Sequence, residues 1–166
     1  MKFPVLIDGV LQGDVVELEE WRESVTTSEA KSYRMIVVET TVWIDFFNGR
    51  DGPHVDELTR LVAADAGVAL TDVVLAEVLQ GIRSDKDYRA VDERLAVFDI
   101  LRLDDRDDFR RSASRYRAAR RTGITIRRTL DCLIASVCMS KAVPILHNDS
   151  DFDQLARCCE LQVRQF

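Results

Sequence analysis

The sequence predicts an α/β fold in which a central, mostly parallel sheet is covered by helices on both faces. Three observations predict it. Short apolar, β-branched runs open near residues 35, 67, 98 and 144 and read as buried strands. The stretches between them carry apolar residues at helical spacing, so successive strands are joined by right-handed crossovers. The length, 166 residues with 46 % hydrophobic and 31 % charged side chains, fits one ordinary domain with a short appendage. Ligand sites in such folds lie beyond the carboxyl ends of the strands.

The first strand of this domain is Met35-Ile36-Val37-Val38. A helix follows from Thr41 to Phe47, stopped by Asn48-Gly49, and a second amphipathic helix spans His54 to Ala64. Gly67 to Thr71 reads as a strand, after which Asp72 is expected to cap a helix through Ile82. Asp87 to Ala96 is the next helix and Phe98 to Leu101 the next strand. Asp105 to Arg121 forms a long basic helix closed by Gly123. Leu130 to Lys141 presents one apolar face, Pro144 to His147 is a strand, Asp151 to Cys158 a helix, and Leu161 to Arg164 an edge strand.

The 34 residues before this domain carry seven acidic and four basic side chains. They hold an acidic-apolar run, Val15 to Trp21, readable as a small hairpin or helix, and a polar stretch, Thr26 to Ser32, readable as a linker. Residues 1–34 are therefore separated as an extension from a domain at 35–166. The extension reads as a mobile extension or a misplaced start, or else as a piece derived from a partner protein and fused in frame.

Several function classes drop out. No run approaches 18 apolar residues, and Asp8 interrupts the apolar start, so neither a membrane span nor a signal peptide is expected. A net charge of −6 argues against a protein that coats nucleic acid generally. Cys132, Cys138, Cys158 and Cys159 form no Cys-x-x-Cys pair, and His54 and His147 are the only histidines, which disfavours zinc. Cys132 and Cys138 fit the core, and the expected compartment is a reducing cytoplasm. No glycine-rich phosphate loop, nucleophile elbow or dinucleotide fingerprint is present.

Carboxylates recur where the strands end. Glu39 follows the first strand, Glu77 sits one turn inside the helix after Thr71, Asp131 opens an apolar helix, and Asp149 and Asp151 follow the last full strand. Converging carboxylates repel one another unless a cation neutralises them. An all-oxygen set favours Mg²⁺ or Mn²⁺, which suits phosphodiester hydrolysis. The competing reading makes Asp131 and Asp151 simple helix-start residues favoured by the dipole. That reading fits Glu77 poorly, because an unpaired carboxylate within Val73-Val74-Leu75-Ala76-Glu77-Val78-Leu79 would be costly if buried.

Taken in order, Met35 to Asp45, Glu77-Val78-Leu79-Gln80-Gly81, Gly123-x-Thr125-Ile126-Arg127, Asp131-Cys132-Leu133-Ile134-Ala135 and Asp149-Ser150-Asp151-Phe152 resemble VapC toxins, the PIN-domain ribonucleases. The resemblance runs from Met35 to the C-terminus. It implies a three-layer α/β/α PIN-like fold and an endoribonuclease cutting structured RNA such as tRNA or rRNA with Mg²⁺ or Mn²⁺. It also implies a cognate VapB-type antitoxin and a homodimer. Carried over by position, Glu39 and Asp131 are the principal metal ligands. Glu77 and Asp149 complete the quartet, Asp151 supports it, and Thr41 orients the first carboxylate.

Two positions depart from the family. Aspartate is usual where this chain has Glu39, and one extra methylene displaces the carboxylate by about an ångström or more, so an attenuated nuclease or a non-catalytic binding module is expected. His147 stands where a hydroxyl residue is common. It is either a neutral hydrogen-bonding substitute near the phosphate or a strand-end residue without catalytic work. Separately, nine arginines against Asp107 and Asp108 lie between Arg106 and Arg128. They read as an RNA-backbone rail, represented by Arg120, Arg121 and Arg127, or as a solvated face paired with acidic groups.

Overall fold

The computed structural model describes residues 35–124 and 126–166, together with the backbone of two short strands near the N-terminus. Those strands, β1 (Val5–Ile7) and β2 (Val10–Gln12), pair antiparallel with Leu6 opposite Leu11. The acidic run at 15–21 and the polar stretch at 26–32 lie outside the described residues, as does the reading of the extension as a fused partner piece.

The main sheet holds β3 (Ile36–Val38), β4 (Val68–Thr71), β5 (Asp99–Leu101) and β6 (Ile145–Leu146), in the order β5-β4-β3-β6 with every pair parallel. All four strands therefore end on one edge of the sheet. The helices are α1 (Thr40–Phe47), α2 (Pro53–Ala63), α3 (Asp72–Gln80), α4 (Asp85–Leu95), α5 (Arg106–Arg121), α6 (Thr129–Lys141) and α7 (Ser150–Cys158). α1 packs on α2 and α3, and α6 on α5 and α7, which gives the three-layer α/β/α arrangement.

Burial explains the two central strands. Every residue of β3 and β4 is buried, as expected for parallel strands covered on both faces. Trp43 anchors an aromatic cluster with Phe47 and Phe98, at centroid distances of 5.8 and 5.1 Å. Phe152 and Leu155 of α7 and Ile134 of α6 complete the core. No helix among the described residues is long and apolar enough to cross a membrane.

Three local expectations need correction. Asp72 is not a cap: the Thr71 hydroxyl accepts from the Val74 amide at 3.2 Å, while Asp72 lies in the first turn of α3 and pairs with Arg102 at 3.1 Å. α4 starts at Asp85 instead of Asp87, because the Ser84 hydroxyl caps it through the Asp87 amide. The edge strand at 161–164 shrinks to a single parallel bridge between Val163 and Ile145, held by the Ile145-to-Gln162 and Arg164-to-Ile145 backbone bonds. Two residues of β6 offer too little ladder for a longer partner.

Candidate functional site

Glu39 leaves β3 in an extended conformation and caps α1. Its Oε2 accepts both the Thr41 amide, at 2.9 Å, and the Thr41 hydroxyl, at 2.5 Å. Only 4 % of the residue is exposed. Burial pushes its carboxyl up to about 7, against the pull of the two Thr41 bonds, and the charges of Asp149 and Asp131 push the same way.

Thr40, which sequence reasoning did not single out, donates from its hydroxyl to Oε2 of Glu77 at 2.6 Å. The two consecutive threonines thus divide their work: Thr41 holds the carboxylate before it, and Thr40 reaches across to α3. The signal was present in the sequence as a hydroxyl pair directly after a strand-end acid. Glu77 itself is half-buried.

Asp131 lies in the first turn of α6 and is buried. Its Oδ2 has no hydrogen-bond partner among the described residues. Burial raises its carboxyl to about 6, helped by the charges of Asp149, Asp151 and Glu77 and opposed by Arg128. A helix-dipole role alone does not account for a buried, unpartnered carboxylate oxygen.

Asp149 caps α7 by accepting the Asp151 amide at 2.9 Å. Asp151, 1 % exposed, accepts the Arg127 amide at 3.0 Å and the Arg127 Nε at 3.2 Å. The same guanidinium reaches Asp149 at 3.2 Å. Arg127, expected on a phosphate-facing rail, thus engages two of the site's own acids. Of the other rail residues, Arg120 sits 5.9 Å from the centre of the Tyr116 ring, and Arg121 is exposed. Within α5, Arg110 pairs with Asp107 and Arg111 with Asp108, so part of the basic stretch is internally neutralised.

His147 is buried, and its Nδ1 accepts the Asp149 amide at 3.3 Å. Burial lowers its pKa, which keeps the ring neutral, and Nε2 has no hydrogen-bond partner among the described residues. It therefore supports the Asp149 turn from the position just after β6.

Five carboxylates from four elements and their connections thus lie within electrostatic range of one another at the carboxyl edge of the sheet. Among the described residues, no three His, Cys, Asp or Glu side chains converge closely enough to hold an ion as they stand. Arg127 occupies two of them, Asp149 and Asp151. The donor set nevertheless suits a hard cation: it is all oxygen, two members are held up towards neutrality, and Asp131 Oδ2 faces no protein donor.

The family model of the PIN domain matches residues 36–157. The chain is 35 % identical over 133 residues to VapC ribonuclease Mb1587 of Mycobacterium bovis, spanning 80 % of this chain and 99 % of that protein. Ribonuclease VapC11 of Mycobacterium tuberculosis matches with the same figures. In three dimensions the crystal structure of VapBC2 from Rickettsia felis, bound to a DNA fragment from their promoter, superposes with a TM-score of 0.64 at 18 % identity, covering 80 % of this chain and 98 % of that one. The chain belongs to the PIN-domain family and, within it, to the VapC type.

Proposed function

We propose that the chain is the toxin of a toxin–antitoxin pair, an endoribonuclease that hydrolyses phosphodiester bonds of structured RNA such as tRNA or rRNA, attenuated by Glu39. The observation that carries this is the coupled acid cluster, above all the buried Asp131 with an oxygen that no protein donor satisfies. Glu39 and Asp131 would hold Mg²⁺ or Mn²⁺, with Glu77 and Asp149 completing the set directly or through water and Asp151 behind them. A bound ion supplies polarisation of the phosphoryl group and a more acidic attacking water. The chain's own residues do the positioning. Thr41 fixes one oxygen of Glu39, Thr40 fixes Glu77, and Arg127 braces Asp149 and Asp151. A VapB-type antitoxin is the expected partner, with a homodimer of toxins and a cytoplasmic location. The second reading, a non-catalytic module that binds RNA or an antitoxin, is favoured by the longer Glu39 side chain alone.

The wild-type chain is expected to cleave tRNA or rRNA slowly in Mn²⁺ or Mg²⁺ and to stop when the ion is chelated. Asp131→Asn is expected to abolish cleavage while leaving the fold intact, as end-labelled RNA and circular dichroism would show. Cleavage that survives chelation or this substitution would remove the metal-dependent assignment.

Arg120 and Arg121 are proposed to contact RNA backbone beside the site. Replacing both with alanine is expected to weaken binding and to reduce the slope of log affinity against log salt by about two, one for each lost phosphate contact. An unchanged slope would assign the pair to a solvated helix face.

A further inference from the structure

Residues 163–166 run alongside β6 and are held there. Val163 bridges to Ile145, the Arg164 amide donates to the Ile145 carbonyl at 2.8 Å, and the Arg164 Nε donates to Glu57 of α2 at 2.9 Å. The segment so fixed walls a pocket of about 190 Å³ together with the turn between β6 and α7. Asp149, a member of the acid cluster, lines this pocket too, so the two adjoin.

Two side chains of the pocket are left unused by the fold. Phe166 is 55 % exposed and meets the His54 ring edge-on at 6.1 Å. An aromatic face open to water beside polar groups is the platform on which single-stranded bases stack. The other is His147, only 5 % exposed. Its Nδ1 accepts the Asp149 amide, so in the neutral ring the hydrogen sits on Nε2, and that donor has no partner among the described residues. Oδ1 of Asp153 stands 3.9 Å from it, too far to accept. A donor and an acceptor side by side match the edge of a nucleobase, where the same two groups are neighbours.

Charge decides between a base and a phosphate. Asp149 and Asp153 bring two carboxylates to the pocket, while Arg164 is already engaged by Glu57. An anion is repelled there and an uncharged ring is not. We propose that this pocket seats an unpaired RNA base next to the phosphate that the acid cluster attacks. Phe166 stacks on the face of the base, and His147 and Asp153 read its edge. The proposal rests on the ribonuclease reading of the cluster and adds to it the residues that set base preference.

Ribonucleosides, which carry base and sugar without phosphate, test it on the full-length chain. His54 and His147 are the only histidines, so a ¹H–¹⁵N spectrum of the imidazole rings reports on His147 directly. At least one of adenosine, guanosine, cytidine and uridine is expected to shift the His147 Nε2 signal saturably, and inorganic phosphate to leave it in place. Phe166→Ala is expected to weaken that binding about tenfold and Phe166→Tyr to retain it. Asp153→Ala is expected to level the differences among the four nucleosides. Both positions are exposed, so Tm should not move. The proposal is overturned if no nucleoside moves His147, if phosphate moves it as far, or if Phe166→Ala binds as the wild type does. A wild type that cleaves RNA yet ignores nucleosides overturns the subsite alone. One that binds nucleosides yet cleaves nothing supports the subsite and overturns the nuclease.

Discussion

Replacing Glu39 with aspartate is expected to raise Mg²⁺-dependent RNA cleavage by on the order of a hundredfold, because a misplacement near one ångström carries a cost of that size. The shorter side chain withdraws the carboxylate towards the backbone, and catalytic geometry tolerates about half an ångström. The substitution should not disturb α1. Aspartate is a strong N-cap residue, and the Thr41 amide and hydroxyl that now bind Oε2 remain in place to receive it. Single-turnover cleavage at saturating metal would measure the gain, and adding Asp131→Ala should erase it. If Glu39→Asp is no faster, the assignment of Glu39 as a weakened ligand fails. If neither form cleaves, the binding-module reading takes its place.

Without divalent metal, the folded chain is expected to lose stability between about pH 4 and 7, and Mg²⁺ to restore it at the upper end. Glu39 rises from an ordinary 4.5 to about 7, and Asp131 from 3.8 to about 6. Over that interval the folded state binds more protons than the unfolded one, so stability is fully present below the ordinary values and is lost as pH climbs through the raised ones. For Glu39 alone the loss is on the order of 3 kcal/mol, or about 10 °C in Tm for a chain of this size. His147, whose pKa is lowered, works in the opposite sense, gaining stability as pH rises. The difference between wild type and Glu39→Gln therefore isolates the carboxyl. Melts at pH 5 and pH 8, with and without Mg²⁺, should show the ion raising Tm mainly at pH 8, where it no longer competes with protons. An equal Mg²⁺ effect at both values would refute the account.

Much of this fold was legible because periodicity reports burial. The run at 35–38 and the alternation of strands with amphipathic helices defined the sheet, and strand ends followed by acids located the cluster. What escaped was local competition for hydrogen bonds. Asp72 reads as a cap, yet Thr71 stands one residue earlier with its hydroxyl free to take the Val74 amide. Arg127 reads as a member of a basic run. Only the fold reveals that the loop before α6 meets the start of α7, where two carboxylates claim its guanidinium. Residues 161–164 read as an edge strand yet form a single bridge, because four alternating residues carry the same pattern whether their neighbour strand offers two ladder positions or five.

Arg127 has a further consequence. Its amide and side chain give Asp151 and Asp149 a resident positive charge, and they fasten the connection between α5 and α6 to the last helix. That guanidinium leaves Glu39 and Asp131, the two acids it does not touch and whose carboxyls are held up, as the members of the cluster with charge still to be neutralised.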